Sequence, residues 1–156
     1  MLRVLFVCTG NTCRSPMAEA ILRQKAAQSA MLQQIEVASA GLFASGGVAS
    51  AAARQVMAAR GLNLDRHLSR QLTPEMVAGA DLVLTMTEGH KRQALAMLAQ
   101  QVAGKIFSLS EFAGMHGEVT DPFGGSVAVY ERSAVQIAAY IDKAWEKIVK
   151  LAGDKA

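Results

Sequence analysis

Apolar residues run in short blocks, separated by longer stretches in which they recur every three or four positions. Leu2–Val7 is continuously apolar except at Arg3 and stops at a glycine-containing turn, which predicts a buried strand. Ile35–Ser39, Leu82–Met86 and Lys105–Leu109 predict three more strands. Between them lie helical stretches. Ser15-Pro16 opens a helix with Ser15 as its N-cap, running to about Ala30. Ser50 to Arg60 is alanine-rich and closed by Gly61. A turn through Asn63-Leu64-Asp65 leads to a short helix from Thr73 as N-cap to Ala80. Thr87-Glu88 starts another, running through His90, Leu95 and Leu98. Ser110 to Val127, with four glycines and Pro122, reads as loop. Ala128 to about Leu151 is a long amphipathic helix with Val135, Ala138, Ile141, Trp145 and Ile148 on one face.

This alternation predicts an α/β fold: a parallel sheet of about four strands, covered by helices on both faces. A length of 156 residues suits one domain over residues 1–156, with enough chain to bury a core unaided by disulfides or metal. In open α/β sheets ligands sit beyond the carboxyl ends of the strands. For the first strand that end is Cys8.

Composition narrows the functional classes. The two cysteines, Cys8 and Cys13, lie five apart, which rules out a disulfide scaffold. None of His67, His90 and His116 stands at a zinc-ligand spacing from them, so no metal site is expected. Net charge is +3, without a run of Lys and Arg that would mark a nucleic-acid face. The N-terminal apolar run is too short for a signal segment, and nothing later approaches a membrane span, so a cytoplasmic location is expected.

The chemistry concentrates in Cys8-Thr9-Gly10-Asn11-Thr12-Cys13-Arg14-Ser15-Pro16, between strand end and helix start. A glycine-containing loop feeding a helix N-terminus turns successive backbone N–H groups inward, and the helix dipole stands behind them. Such a nest binds a phosphate-like dianion. Arg14 adds a planar fork of donors matched to phosphate oxygens. A cysteine at the base of that positive cradle favours its thiolate and is placed for in-line attack on phosphorus. The loop lacks the Gly-Lys-Ser/Thr ending of a nucleotide-binding loop, so a triphosphate with magnesium is not implied. Among the other candidates, His67 reads as structural and His90-Lys91-Arg92 as a solvated helix face. The eight methionines read as fillers of core gaps.

Val7 to Pro16 resembles the signature loop of the low-molecular-weight phosphotyrosine phosphatases, and Asp121-Pro122 resembles their acid loop. The likeness continues through Ser39-Ala40-Gly41, Ala80–Leu84 and the C-terminal helix, so it covers essentially the whole chain. The resemblance implies a four-stranded parallel sheet and a two-step mechanism without cofactor or metal, through a phosphocysteine. It implies phosphorylated proteins as substrates. It also implies Cys8 as nucleophile, Arg14 as phosphate binder and Asp121 as acid, then base. Thr9, Gly10, Asn11, Thr12, Cys13, Ser15 and Phe123 are the expected substrate-binding positions. Asn11, Ser15, Ser39 and His67 match a network that holds the loop in shape.

Two positions depart from the tyrosine-directed members. Thr12 replaces a bulky aliphatic residue, and Phe123-Gly124-Gly125 stands where tyrosines commonly follow Asp-Pro. Both changes resemble the bacterial protein arginine phosphatases. A flat guanidinium carries several N–H donors, and leaving one unpaired in a closed pocket costs ~1–3 kcal/mol. Thr12 and Asp121 offer acceptors and Phe123 a face for stacking; the alternative readings are that Thr12 braces the loop through a local hydrogen bond and Phe123 anchors its loop to the core. Phosphoarginine is therefore the expected substrate and phosphotyrosine the alternative. An arsenate reductase would need electron-relay cysteines downstream, and none follows Cys13. A non-catalytic phosphate-binding module would have lost Cys8 or Asp121. Cys13 reads either as a packing residue of the loop or as the partner of Cys8 in a protective disulfide formed under mild oxidation.

Overall fold

The computed structural model describes residues 1–97 and 103–155. Four parallel strands form one sheet in the order β2-β1-β3-β4: β1 is Leu2–Cys8, β2 Ile35–Gly41, β3 Leu82–Thr85 and β4 Ile106–Ser108. Alternation along β1 decides which face each side chain serves. Leu2, Val4, Phe6 and Cys8 point into a core shared with α1 (Arg14–Gln28), α2 (Ala51–Ala59), α5 (Leu109–Phe112) and α6 (Val127–Asp154). Leu5 and Val7 point the other way, toward α3 (Pro74–Gly79) and α4 (Glu88–Ala96). Both faces of the sheet are covered, so its central strands can be apolar without interruption.

The chain leaves β1 toward β2 on one side and then crosses to β3 on the other. The carboxyl ends of β1 and β3 therefore open a crevice where the two connections diverge. Cys8 ends β1 at that crevice, and Val7 pairs with Thr85 of β3 beside it. No helix among the described residues is long and apolar enough to cross a membrane.

Local capping chemistry accounts for several boundaries. Ser50, Thr73 and Thr87 each accept a backbone N–H three residues ahead, opening α2, α3 and α4. Ser15 is different: α1 begins at Arg14, with the Met17 N–H on the Cys13 carbonyl, so Ser15 lies inside the first turn and is no cap. Its hydroxyl is engaged elsewhere. The expected loop after β4 also contains an element. Ser108 accepts from the Glu111 N–H and starts the single-turn helix α5, which buries Leu109 and Phe112. In α6 the buried face is rotated from the expected one: Tyr130, Ala134, Ile137, Ile141, Ala144 and Ile148 face inward. Val135 is 54% exposed, and Ala138 and Trp145 only flank the core. Met17, Met57 and Met86 fill the core as expected, but Met1, Met97 and Met115 are exposed. Leu98, expected to continue α4, lies outside the described residues.

Candidate active site

Residues 9–13 carry the chain from β1 into α1 and wrap around the Cys8 sulfur. Asn11 takes the left-handed backbone conformation, with φ 57°, which asparagine tolerates better than most residues. This turns its N–H back onto Cys8 Sγ at 3.3 Å. Gly41, at the end of β2, permits the curl. A Cβ there would stand 2.7 Å from the Thr9 carbonyl oxygen, so no larger residue fits.

A chain of hydrogen bonds fixes the loop from behind. Asn11 Nδ2 donates to Ser15 Oγ (2.8 Å) and to Ser39 Oγ (3.0 Å), using both amide hydrogens. Ser39 in turn donates to Glu19 Oε1 at 2.7 Å. Asn11 Oδ1 accepts the Arg70 N–H at 2.9 Å, and His67 Nε2 donates to the Asn11 carbonyl at 2.7 Å. Because Ser15 Oγ already accepts from Asn11, its hydroxyl hydrogen is free for Cys8 Sγ, 2.9 Å away. The N–H of Asn11 and the O–H of Ser15 thus both address the sulfur. Asn11 and Ser15 are fully buried and lie behind the loop. They brace the site and do not line its cavity, unlike the direct substrate contact expected of them.

The cavity itself has a volume of about 240 Å³ and is lined by Cys8, Thr9, Gly10, Thr12, Cys13, Arg14, Asp121 and Phe123. Arg14 is 4% exposed. Its Nη1 donates to the Val119 carbonyl at 3.1 Å and its Nη2 lies 3.6 Å from Asp121 Oδ2. That leaves the guanidinium one fixed edge and one edge toward the cavity. Asp121 is half exposed, and its Oδ1 accepts the Phe123 N–H at 3.1 Å. Phe123 is 78% exposed at the rim. Glycine at 124, with φ 77°, lets the loop turn back toward α6.

Asp121 lies more than a hundred residues from Cys8, and long-range bonds carry it there. The Val119 N–H donates to the Met86 carbonyl beyond β3 (3.1 Å), and the Met86 N–H to the Val7 carbonyl (3.1 Å). From α6, Gln136 Nε2 donates to the Glu118 carbonyl at 2.8 Å, and Ser133 to the Thr120 carbonyl at 3.0 Å. Sequence reasoning did not single out Gln136 or Ser133, and nothing in their local pattern marks them.

Cys13 Sγ lies 3.4 Å from the Tyr130 hydroxyl and 3.6 Å from Ser50 Oγ. Burial and the Cys13 contact push the Tyr130 phenol up from its usual range, so it remains protonated beside the sulfur.

His90 is the main departure from the expected site. It is 7% exposed, so it is no part of a solvated face, although Lys91 alongside it pairs with Glu111 at 2.8 Å. Its Nε2 lies 2.9 Å from Thr9 Oγ1. Burial, helped by the Arg14 charge and opposed by Asp121 and Glu118, pushes the imidazole down to about 4. A signal was available: His90 falls in the first turn of the helix that follows a central strand's carboxyl end.

The family model for low molecular weight phosphotyrosine protein phosphatases matches residues 3–152. The chain belongs to that family. A protein-arginine-phosphatase of Geobacillus stearothermophilus is 42% identical over 148 residues, covering 94% of this chain and 95% of the relative. Among solved structures, a low molecular weight protein tyrosine phosphatase from T. tengcongensis superimposes with a TM-score of 0.89 at 43% identity. It covers 94% of this chain and 99% of its own. An arginine phosphatase whose active-site cysteine is replaced by a phosphorylated serine superimposes with a TM-score of 0.89 at 37% identity, covering 96% and 97%. Relatives of similar identity thus carry two substrate names, and the choice between them falls to the cavity.

Proposed function

We propose that this chain, as one domain, is a protein phosphatase that hydrolyses phosphoarginine through a phosphocysteine intermediate. The observation that carries the substrate is Thr12 in the cavity wall, facing a space also bounded by Asp121 and Phe123. An apolar side chain at position 12 would leave guanidinium N–H groups without acceptors, whereas a hydroxyl pairs with one. Phe123 supplies an exposed ring for stacking on the guanidinium face.

The reaction assigned to these residues has two steps. The Cys8 thiolate attacks phosphorus, the P–N bond breaks, and Asp121 gives its proton to the departing nitrogen. Arg14 and the loop amides hold the three equatorial oxygens, where charge spreads in the transition state. Asp121, now a carboxylate, takes a proton from water as that water attacks phosphorus. The P–S bond then breaks, releasing phosphate and restoring the thiolate.

The similarity to the T. tengcongensis tyrosine phosphatase favours phosphotyrosine as the second reading. Steady-state rates on matched phosphoarginine and phosphotyrosine peptides separate the two. Wild type is expected to prefer phosphoarginine. Thr12→Ile is expected to lower kcat/KM on phosphoarginine by about ten- to a hundredfold while sparing phosphotyrosine. A wild-type preference for phosphotyrosine that Thr12→Ile leaves unmoved would defeat the arginine reading.

Free thiols at Cys8 and Cys13 suit a reducing, cytoplasmic compartment. Both cysteines line the same cavity, which supports a Cys8–Cys13 disulfide formed under peroxide, with the two thiols oxidised and peroxide reduced to water. Mass spectrometry after mild peroxide is expected to find that linkage, with activity returning on reduction. Sulfonic acid at Cys8 and no disulfide would end the protective reading.

A further inference from the structure

His90 is a buried titratable group that neither reaction step uses, and its geometry is specific. It belongs to the first turn of α4, where the Thr87 hydroxyl accepts its backbone N–H at 3.1 Å. Its side chain reaches across from the β3–α4 junction to Thr9, the first residue after Cys8, with Nε2 2.9 Å from Thr9 Oγ1. Nδ1 is buried without a hydrogen-bond partner. Charged groups near the ring are Arg14, Asp121 and Glu118.

These facts select one tautomer. With the proton on Nδ1, a buried N–H would be orphaned close to a guanidinium. With the proton on Nε2, Nδ1 shows only a lone pair, a less costly vacancy and one favoured by the Arg14 charge. The hydrogen bond made by one ring nitrogen sets the state of the other. Thr9 Oγ1 then accepts from Nε2–H, and its own hydrogen is free. Thr9 lines the cavity, so that hydrogen has a use there.

We propose that His90 is a positioning residue: protonated at Nε2, it donates to Thr9 Oγ1 and so directs the Thr9 hydroxyl hydrogen at a bound phosphoryl oxygen. This rests on reading the cavity as a phosphoryl site and holds for either phosphorylated side chain. It adds a side-chain donor, on the β3 side of the crevice, to the loop amides and Arg14. The depressed proton affinity of the ring keeps this arrangement intact through neutral and mildly acidic pH. A cationic imidazole would also put an N–H at the buried, unpartnered Nδ1.

The test combines spectroscopy on wild type with a mutant cycle. Long-range proton–nitrogen NMR at neutral pH is expected to show His90 in the Nε2–H tautomer. His90→Leu and Thr9→Val are each expected to lower kcat by about ten- to a hundredfold, with a smaller change in KM, because the donor matters most as charge grows on the phosphoryl oxygens. The double variant is expected to be no slower than the slower single one, since both remove one interaction. His90→Gln, which restores an N–H donor, is expected to recover most of the rate. An Nδ1–H tautomer, additive losses, or unchanged kcat in His90→Leu would each overturn the proposal. If wild type hydrolyses neither phosphopeptide, the phosphatase reading itself fails, a result distinct from any of these.

Discussion

Cys8→Ser is expected to lower kcat by at least about 10⁴-fold while leaving the fold and phosphate binding in place. The oxygen would still meet the Asn11 N–H and the Ser15 hydroxyl, so the loop has no reason to collapse. Those groups stabilise an anion but cannot remove a proton from an alcohol. Neither nearby imidazole is available as a base: His67 is held on the Asn11 carbonyl and His90 against Thr9. A thiol gives up its proton near neutral pH where an alcohol does not, which is why the same cradle serves one nucleophile and not the other. The solved arginine phosphatase with a phosphorylated serine in place of its cysteine suggests a second readout. A phosphoryl group transferred to the serine at position 8 would be retained, and intact-protein mass spectrometry would detect it. Activity within tenfold of wild type would remove Cys8 as nucleophile.

Arg14→Lys is expected to reduce kcat by about 10³-fold and to weaken inhibition by inorganic phosphate. The arginine is nearly fully buried, with Nη1 fixed on the Val119 carbonyl and Nη2 toward Asp121. One planar group therefore ties the Cys8 loop to the Asp121 loop and, in the proposed reaction, would present a rigid fork to the phosphoryl oxygens. Lysine keeps the charge but not the fork, so it cannot hold Val119 and two phosphoryl oxygens in one plane. The ion pair with Asp121 adds little to stability, because that carboxylate is half exposed and screened by water. The loss should accordingly appear in kcat and in the phosphate inhibition constant, with a small change in melting temperature. A variant with wild-type kcat and weaker phosphate inhibition would reduce Arg14 to a binding residue.

Much of this site was legible because its centre is contiguous. Strand end, loop, arginine and helix start fall within residues 8 to 16, and each backbone choice there is local: a left-handed asparagine, a helix N-terminus, a thiol at the base. The strands, too, declare themselves through uninterrupted apolar runs, and Thr73 and Thr87 through their side-chain caps. The errors share a cause. Ser15 reads as a cap when only its neighbours in the chain are considered, yet Asn11 and Cys8 claim its hydroxyl once the loop curls. The buried face of α6 differs from the expected one because a stripe of apolar residues allows more than one rotation, and contact with the sheet and α1 chooses between them.

By itself, then, the amino-acid sequence determined the Cys8–Pro16 loop, the α/β alternation and the polar groups that Thr12 and Asp121 bring to the cavity. Tertiary structure alone decided how the Asp121 loop is held and where His90 lies. Parallel pairing of β1 with β3 sets Val7 beside Thr85, and this brings Thr9 and His90, 81 residues apart, into hydrogen-bond contact. The same junction anchors Val119, and α6 clamps the loop through Gln136 and Ser133. No local pattern encodes such contacts, because each depends on strand order, and strand order is settled by how whole elements pack.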